Sequence, residues 1–133
     1  MSDPTEPAGT FVADVIQWHE QSTTFKIGAH DGIRLIRLSG DVCDEMPTLG
    51  PHLDPPKGDN KPRLVINIGE AVLTSQVIGA LVASNNQHNA AGGKIVLCNV
   101  AEQSRTILSL CKLLPLFTIL DDETAAVAKL RSL

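Results

Sequence analysis

The sequence predicts an α/β domain: a mixed sheet of about five strands, an N-terminal hairpin followed by parallel β-α-β units, covered by about four helices. Three observations carry that prediction. The stretch from Arg63 to Leu97 reads as strand, crossover helix, strand. Asp31-Gly32 separates two extended apolar runs, as in a tight hairpin. Beyond Leu97, two more helical patterns flank a short run, Phe117 to Leu120, that reads as a strand.

Taken in order, residues 1–24 form an N-terminal extension and 25–133 the domain. Met1 to Thr10 is polar and contains Pro and Gly, a composition that does not bury a core. From Phe11 to His19, the spacing of Phe11, Val12, Val15, Ile16 and Trp18 predicts a short helix. Such a helix must pack on something, either the same domain or a second copy as a homodimer arm. Phe25–Ala29 and Ile33–Leu38 are the hairpin strands, and Ser39-Gly40-Asp41 ends the second. Five prolines between Pro47 and Pro62 leave room for one or two helical turns around Asp44 to Leu53, because each lacks an N–H donor and clashes with the preceding turn; residues 54–61 read as surface loop.

Arg63-Leu64-Val65-Ile66-Asn67-Ile68 is apolar and β-branched, as expected of a strand buried on both faces. Thr74 and Ser75 carry hydroxyls suited to capping a helix start, and Val77, Ile78, Leu81 and Val82 recur at helical spacing. Gly92-Gly93 closes that helix where positive φ is wanted. Residues 99–102 open the next helix, with an apolar stripe of Ile107, Leu108, Leu110, Cys111, Leu113 and Leu114 that Pro115 ends. Asp121-Asp122-Glu123 starts the last helix, its carboxylates placed against the positive end of the helix dipole.

Composition narrows the function. A formal charge of −4 without a Lys/Arg cluster argues against nucleic acid. Three cysteines with no C-x-x-C pair read as reduced thiols, the four histidines are scattered singly so no metal site is expected, and no cofactor signature is present. The N-terminus lacks the basic-then-apolar order of a signal peptide and no apolar run reaches membrane-span length, which predicts a cytoplasmic protein without direct membrane insertion. Ser75 at a strand-to-helix turn has no flanking glycines of a G-x-S-x-G elbow, no phosphate-cradling G-x-x-x-x-G-K-[ST] occurs, and His88 is not placed as an evident base. The chain reads as a non-enzyme.

Several segments, in this order, resemble the STAS domain, the fold of bacterial anti-sigma factor antagonists. They are Leu35-Ile36-Arg37-Leu38-Ser39-Gly40, Leu64-Val65-Ile66-Asn67-Ile68, the run from Ala90 to Val100 with Gly92-Gly93-Lys94-Ile95-Val96-Leu97 at its centre, and Leu113-Leu114-Pro115-Leu116-Phe117-Thr118-Ile119-Leu120-Asp121-Asp122. The resemblance runs from about Phe25 to Leu130. It implies a bacterial signalling module of transcription regulation that binds an anti-sigma factor with kinase activity. In that family the turn typically reads D-S/T-S-G-L-G, and the second hydroxyl is phosphorylated. Anchoring on Gly79-Ala80-Leu81 puts Thr74 at the Asp position, Ser75 at the first hydroxyl and Gln76 at the acceptor; counting from Asn67, where the family usually has Asp, puts Val77 there. Neither residue can accept a phosphoryl group, so phosphorylation at the usual position is not expected, with Ser75 the fallback if the turn shifts by one residue.

The resemblance implies a partner surface at Thr74, Ser75 and Gln76, with Asp41 and Asn99 at neighbouring strand ends. Each also has a local reading: Thr74 and Ser75 cap, Asp41 satisfies a turn, and Asn99 caps the next helix. A second reading keeps the fold but makes the chain a STAS-like cytosolic subunit of a membrane transport complex, contacting its ATPase.

Overall fold

The computed structural model describes residues 16–132. Six strands form one sheet in the order of the chain: β1 (Gln17–Gln21), β2 (Phe25–His30), β3 (Ile33–Gly40), β4 (Arg63–Ala71), β5 (Lys94–Val100) and β6 (Thr118–Leu120). The first three are joined antiparallel, and β3 to β6 run parallel. Four α-helices fill the crossovers and the C-terminal end: α1 (Met46–Leu53), α2 (Ser75–Ala90), α3 (Glu102–Leu110) and α4 (Glu123–Arg131). The expected mixed α/β architecture is present, with one strand more than the sequence suggested.

That extra strand replaces part of the expected N-terminal helix. Residues 11–15 lie outside the described residues, but from Gln17 onward the chain is extended and pairs with β2. The apolar residues that suggested a helix instead use the alternation of a strand: Ile16 and Trp18 lie over Gly28, where a Cβ would come within 2.7 Å of Trp18 and 2.8 Å of Ile16. The sheet therefore begins before residue 25, with Gln17–Gln21 as its first strand.

The hairpin follows its turn chemistry. Asp31 and Gly32 have φ of 57° and 76°, the pair of positive values that a two-residue turn between right-twisted strands requires. In the proline-rich stretch, a 3-10 turn (Cys43–Glu45) leads into α1, which has Pro47 in its first turn and Pro51 inside.

The sheet buries both faces. On one, α1, α2 and α3 cover Ile27, Ile36, Leu64, Ile66, Ile95 and Leu97 through Leu49, Leu53, Val77, Leu81 and Leu108. On the other, α4 alone lays Ala126, Val127 and Leu130 over Ile33, Leu35, Val65, Val96 and Cys98. This explains the continuous apolar run of β4: its alternate side chains enter different cores.

Beside α4 the second face is polar but closed. Glu123, 9% exposed, accepts from Arg37 Nε and Nη2, both at 2.7 Å, and from Asn67 Nδ2 at 2.9 Å. The Arg37 guanidinium also stacks on Trp18, 4.5 Å from the ring centroid, with Lys26 Nζ 4.7 Å from the same ring. Burial opposes the charged Glu123 carboxylate, but the Arg37 and Asn67 hydrogen bonds outweigh it and hold the carboxyl below its ordinary range.

Candidate functional site

The register of the parallel strands sets which residues share an edge. Gly40 pairs with Ala71 and Gly69 with Val100, while Asn99 N–H donates to Asp121 C=O at 3.2 Å. The turns after β3, β4, β5 and β6 therefore open on one edge of the sheet, where α/β folds gather their functional loops. All five residues expected to form a partner surface lie on this edge.

The edge centres on the start of α2. Thr74 is the N-cap: its Oγ1 accepts from Val77 N–H at 3.3 Å, with its backbone extended at ψ 167°. Ser75 is the first residue of the helix rather than its cap, and both Ser75 and Gln76 are exposed. The capping role expected of two hydroxyls thus falls to one and leaves Ser75 outside it. Asp41 makes the turn expected of it, accepting from Cys43 N–H at 2.9 Å, and this hydrogen bond keeps its carboxyl below the usual range.

Cys43 joins the two parts. Its Sγ lies 3.2 Å from Thr74 Oγ1, so Asp41, Cys43 and Thr74 form a continuous chain of contacts across the ends of β3 and β4. The 3-10 turn carrying Cys43 is tied to the β1–β2 turn by Glu45, which accepts from Ser22, from Thr24 Oγ1 at 2.6 Å and from Thr23 Oγ1 at 3.2 Å. Those hydroxyls, Ser22 foremost, hold the Glu45 carboxyl below its ordinary range. Sequence reading missed this role of Cys43, since nothing in the spacing of Cys43 and Thr74 announces a contact made across the sheet edge.

Asn99 stands apart from this chain. It does not cap α3, whose N-cap is Ala101 without a side-chain hydrogen bond. Asn99 instead adopts φ 51° at the end of β5, a left-handed conformation that Asn tolerates better than most residues, and its backbone binds Asp121. It shares the edge with Thr74 to Gln76 but is tied to the β6 side of it.

Two features beside the helix start were not legible in the sequence. A bulge in β4 sets two residues, Ile68 and Gly69, against one on β3, and Gly69 takes φ 52° there. Beyond it, residues 69–73 and the start of α3 enclose a cleft of about 260 Å³, with Val72 51% exposed at its side.

The structure keeps Ser75 and His88 apart. His88 is fully buried at the far end of α2, about 20 Å along the helix from Ser75. Its Nδ1 is 2.8 Å from Ser84 C=O and its Nε2 is 3.4 Å from Arg34 Nη2. Burial pushes its pKa down, against the Ser84 hydrogen bond. Burial also pushes the Cys98 thiol far up, which leaves it an unreactive core residue. Asn67 points to α4 and Glu123, on the opposite face of the sheet from α2. Among the described residues, no group of three or more His, Cys, Asp or Glu is arranged to hold a metal ion, and no helix is long and apolar enough to cross a membrane.

No family model and no curated protein matches the sequence. Solved structures do match the fold. A Thermotoga maritima protein assigned as an anti-sigma factor antagonist superposes with a TM-score of 0.71 at 18% identity, over 80% of this chain and 94% of that one. An anti-sigma factor antagonist from Mycobacterium paratuberculosis gives 0.65 at 21% identity, over 81% and 93%. An anti-sigma factor antagonist (STAS) domain protein from Planctomyces limnophilus gives 0.70 at 13% identity, over 82% and 99%. The order of strands, the hairpin, the α2 start and the C-terminal helix thus make up the STAS fold, the fold of anti-sigma factor antagonists.

Proposed function

We propose that this chain is a non-enzymatic regulatory module that acts as an anti-sigma factor antagonist, docking its partner on the sheet edge formed by Asp41, Thr74, Ser75, Gln76 and Asn99. The observation that carries the reading is the exposed start of α2 at the shared edge, in a fold whose solved neighbours are anti-sigma factor antagonists. The partner is an anti-sigma factor, cytoplasmic like the module itself.

Binding in this reading is not switched by phosphate at the usual position. Gln76 and Val77, the second and third residues of α2, are the two positions where the resemblance puts the acceptor, and neither side chain can take on the two negative charges of a phosphate. Incubating the domain with candidate anti-sigma kinases and ATP is expected to leave its intact mass unchanged. A single added phosphate that maps to Ser75, the exposed hydroxyl of the first turn, would sink the constitutive reading and move the switch by one residue.

Gln76→Glu tests the surface itself. An acidic side chain in the first turn of a helix is favourable by about 0.3–1 kcal/mol, so thermal stability is expected to hold or rise slightly. Affinity for the anti-sigma factor, by calorimetric titration, is expected to change by about fivefold or more. Equal affinity for the two proteins removes Gln76 from the interface.

A further inference from the structure

The cleft beside α2 has a definite chemical character. Ala71, Val72 and Leu73 form one wall, and Ala101, Ser104 and Ile107 of the α3 start form the other. Its volume of about 260 Å³ suits one large aliphatic or aromatic side chain. Val72 is one of three large apolar residues exposed among the described ones, and the other two, Leu110 and Leu116, lie at the far end of α3 or beyond it. An apolar side chain exposed beside a concave, partly apolar cleft has the form of an interface centre.

The rim is acidic. Glu70 lines the cleft, Glu102 is the first residue of α3, and Asp41 and Asp44 follow β3 on the same edge; all four are exposed. Asp121 and Asp122 continue the charge after β6. Two cations near this edge are engaged elsewhere, Arg37 on Glu123 and Lys26 over Trp18, while Arg105 lines with Glu102 a second groove along α3. Lys57, Lys61, Arg63, Lys94 and Arg131 cluster toward the other end of the parallel strands.

We infer that this cleft is the anchor point for a partner segment in which one large apolar side chain is flanked by Lys or Arg. The apolar side chain fills the space between Val72 and Ile107, and the flanking cations meet Glu70 and Glu102. The cleft is continuous with the α2 start through Leu73 and Thr74, so the inference deepens the docking surface proposed above and rests on it for the identity of the natural partner.

The test uses synthetic peptides with the full chain, isotopically labelled for NMR. A peptide carrying one Leu between paired lysines is expected to shift the backbone amides of residues 70–73 and 102–107 saturably, with affinity falling severalfold as salt is raised from about 0.05 M to about 0.3 M. Replacing the Leu by Ser, or the lysines by Glu, is expected to weaken binding about fivefold or more. In the protein, Val72→Gln and the pair Glu70→Gln, Glu102→Gln are expected to do the same; all three sites are exposed, and unchanged spectra elsewhere confirm folding. Equal binding of the Leu and Ser peptides, or shifts that map to another face, overturns the inference. An anti-sigma factor that binds wild type and Val72→Gln equally also overturns it and leaves the proposed function standing. Peptide binding at the cleft by a chain that binds no anti-sigma factor does the reverse.

Discussion

Gly93→Ala is expected to leave little folded protein at 37 °C, with a stability loss of about 4 kcal/mol or more. A Cβ at Gly93 would lie 1.8 Å from the Pro62 carbonyl oxygen and 2.7 Å from its carbonyl carbon and Cδ. The obstacle is backbone, and both partners are pinned: Gly93 N–H donates to His88 C=O at 2.8 Å, closing α2, and Lys94 N–H donates to Pro62 C=O at 2.9 Å, where β5 begins beside β4. Relief therefore requires giving up a helix end or the start of a strand pair. For a domain whose whole stability is of the order of 5–15 kcal/mol, that is a large share. Gly79 supplies the control. It sits in α2 with nothing within 4 Å of an added Cβ, so Gly79→Ala is expected to stabilise by about 0.5–1 kcal/mol. Thermal melts of the two variants should move in opposite directions; a Gly93→Ala melt within about 2 °C of wild type would contradict the packing described.

Glu123→Ala is expected to destabilise by about 2–3 kcal/mol, less than a fully enclosed ion pair because Arg37 keeps 34% of its side chain in contact with solvent. The loss has two parts: a guanidinium left without its bidentate carboxylate, and an Asn67 amide left without its acceptor. Glu123→Gln keeps one acceptor oxygen and should recover part of it. The same pair gives a pH signature. Because the folded carboxyl titrates below its ordinary value of 4.5, the unfolded chain binds the proton first as pH falls. The stabilisation is fully present above about 4.5 and lost as pH drops through the folded value, so urea midpoints should fall on that limb in wild type and fall less in Glu123→Gln. His88 contributes with the same sign: burial holds its ring below 6.5, so its contribution begins to decline as pH falls from that value.

The parts of the fold that were legible are those fixed by local chemistry. Asp31-Gly32 announces its own turn, Thr74 its own cap, and Asp121-Asp122-Glu123 the start of α4, where the structure adds that Asp122 is the cap, accepting from Ala125 N–H at 2.9 Å. Periodicity failed where two periods fit the same residues. Ile16 and Trp18 satisfy both a helical face and a strand alternation, and the choice is made by Gly28 on the neighbouring strand, which leaves room for both side chains. Gly93 was read as helix-closing punctuation; Gly92 has the positive φ of 85°, while Gly93 is required by the closeness of Pro62. The candidate edge was legible as residues but not as a surface. Thr74, Ser75 and Gln76 stand out in the sequence, whereas Cys43 reaches Thr74, and Val72 flanks a cleft, only once β3, β4 and α3 are placed side by side.

The strand order has a consequence for how the chain is made. Each strand pairs with the one synthesised just before it, so a nascent chain emerging from the ribosome always finds its next neighbour already present. The α4 helix breaks that rule: it comes last yet covers Val65 and Val96, in strands finished well before it. Until it arrives, that face of the sheet is bare and Arg37 lacks its carboxylate. A chain cut short before Ala126 would hold an assembled sheet with an uncovered aliphatic face, the kind of surface that chaperones and proteases engage. Quality control of this protein therefore falls on its final helix.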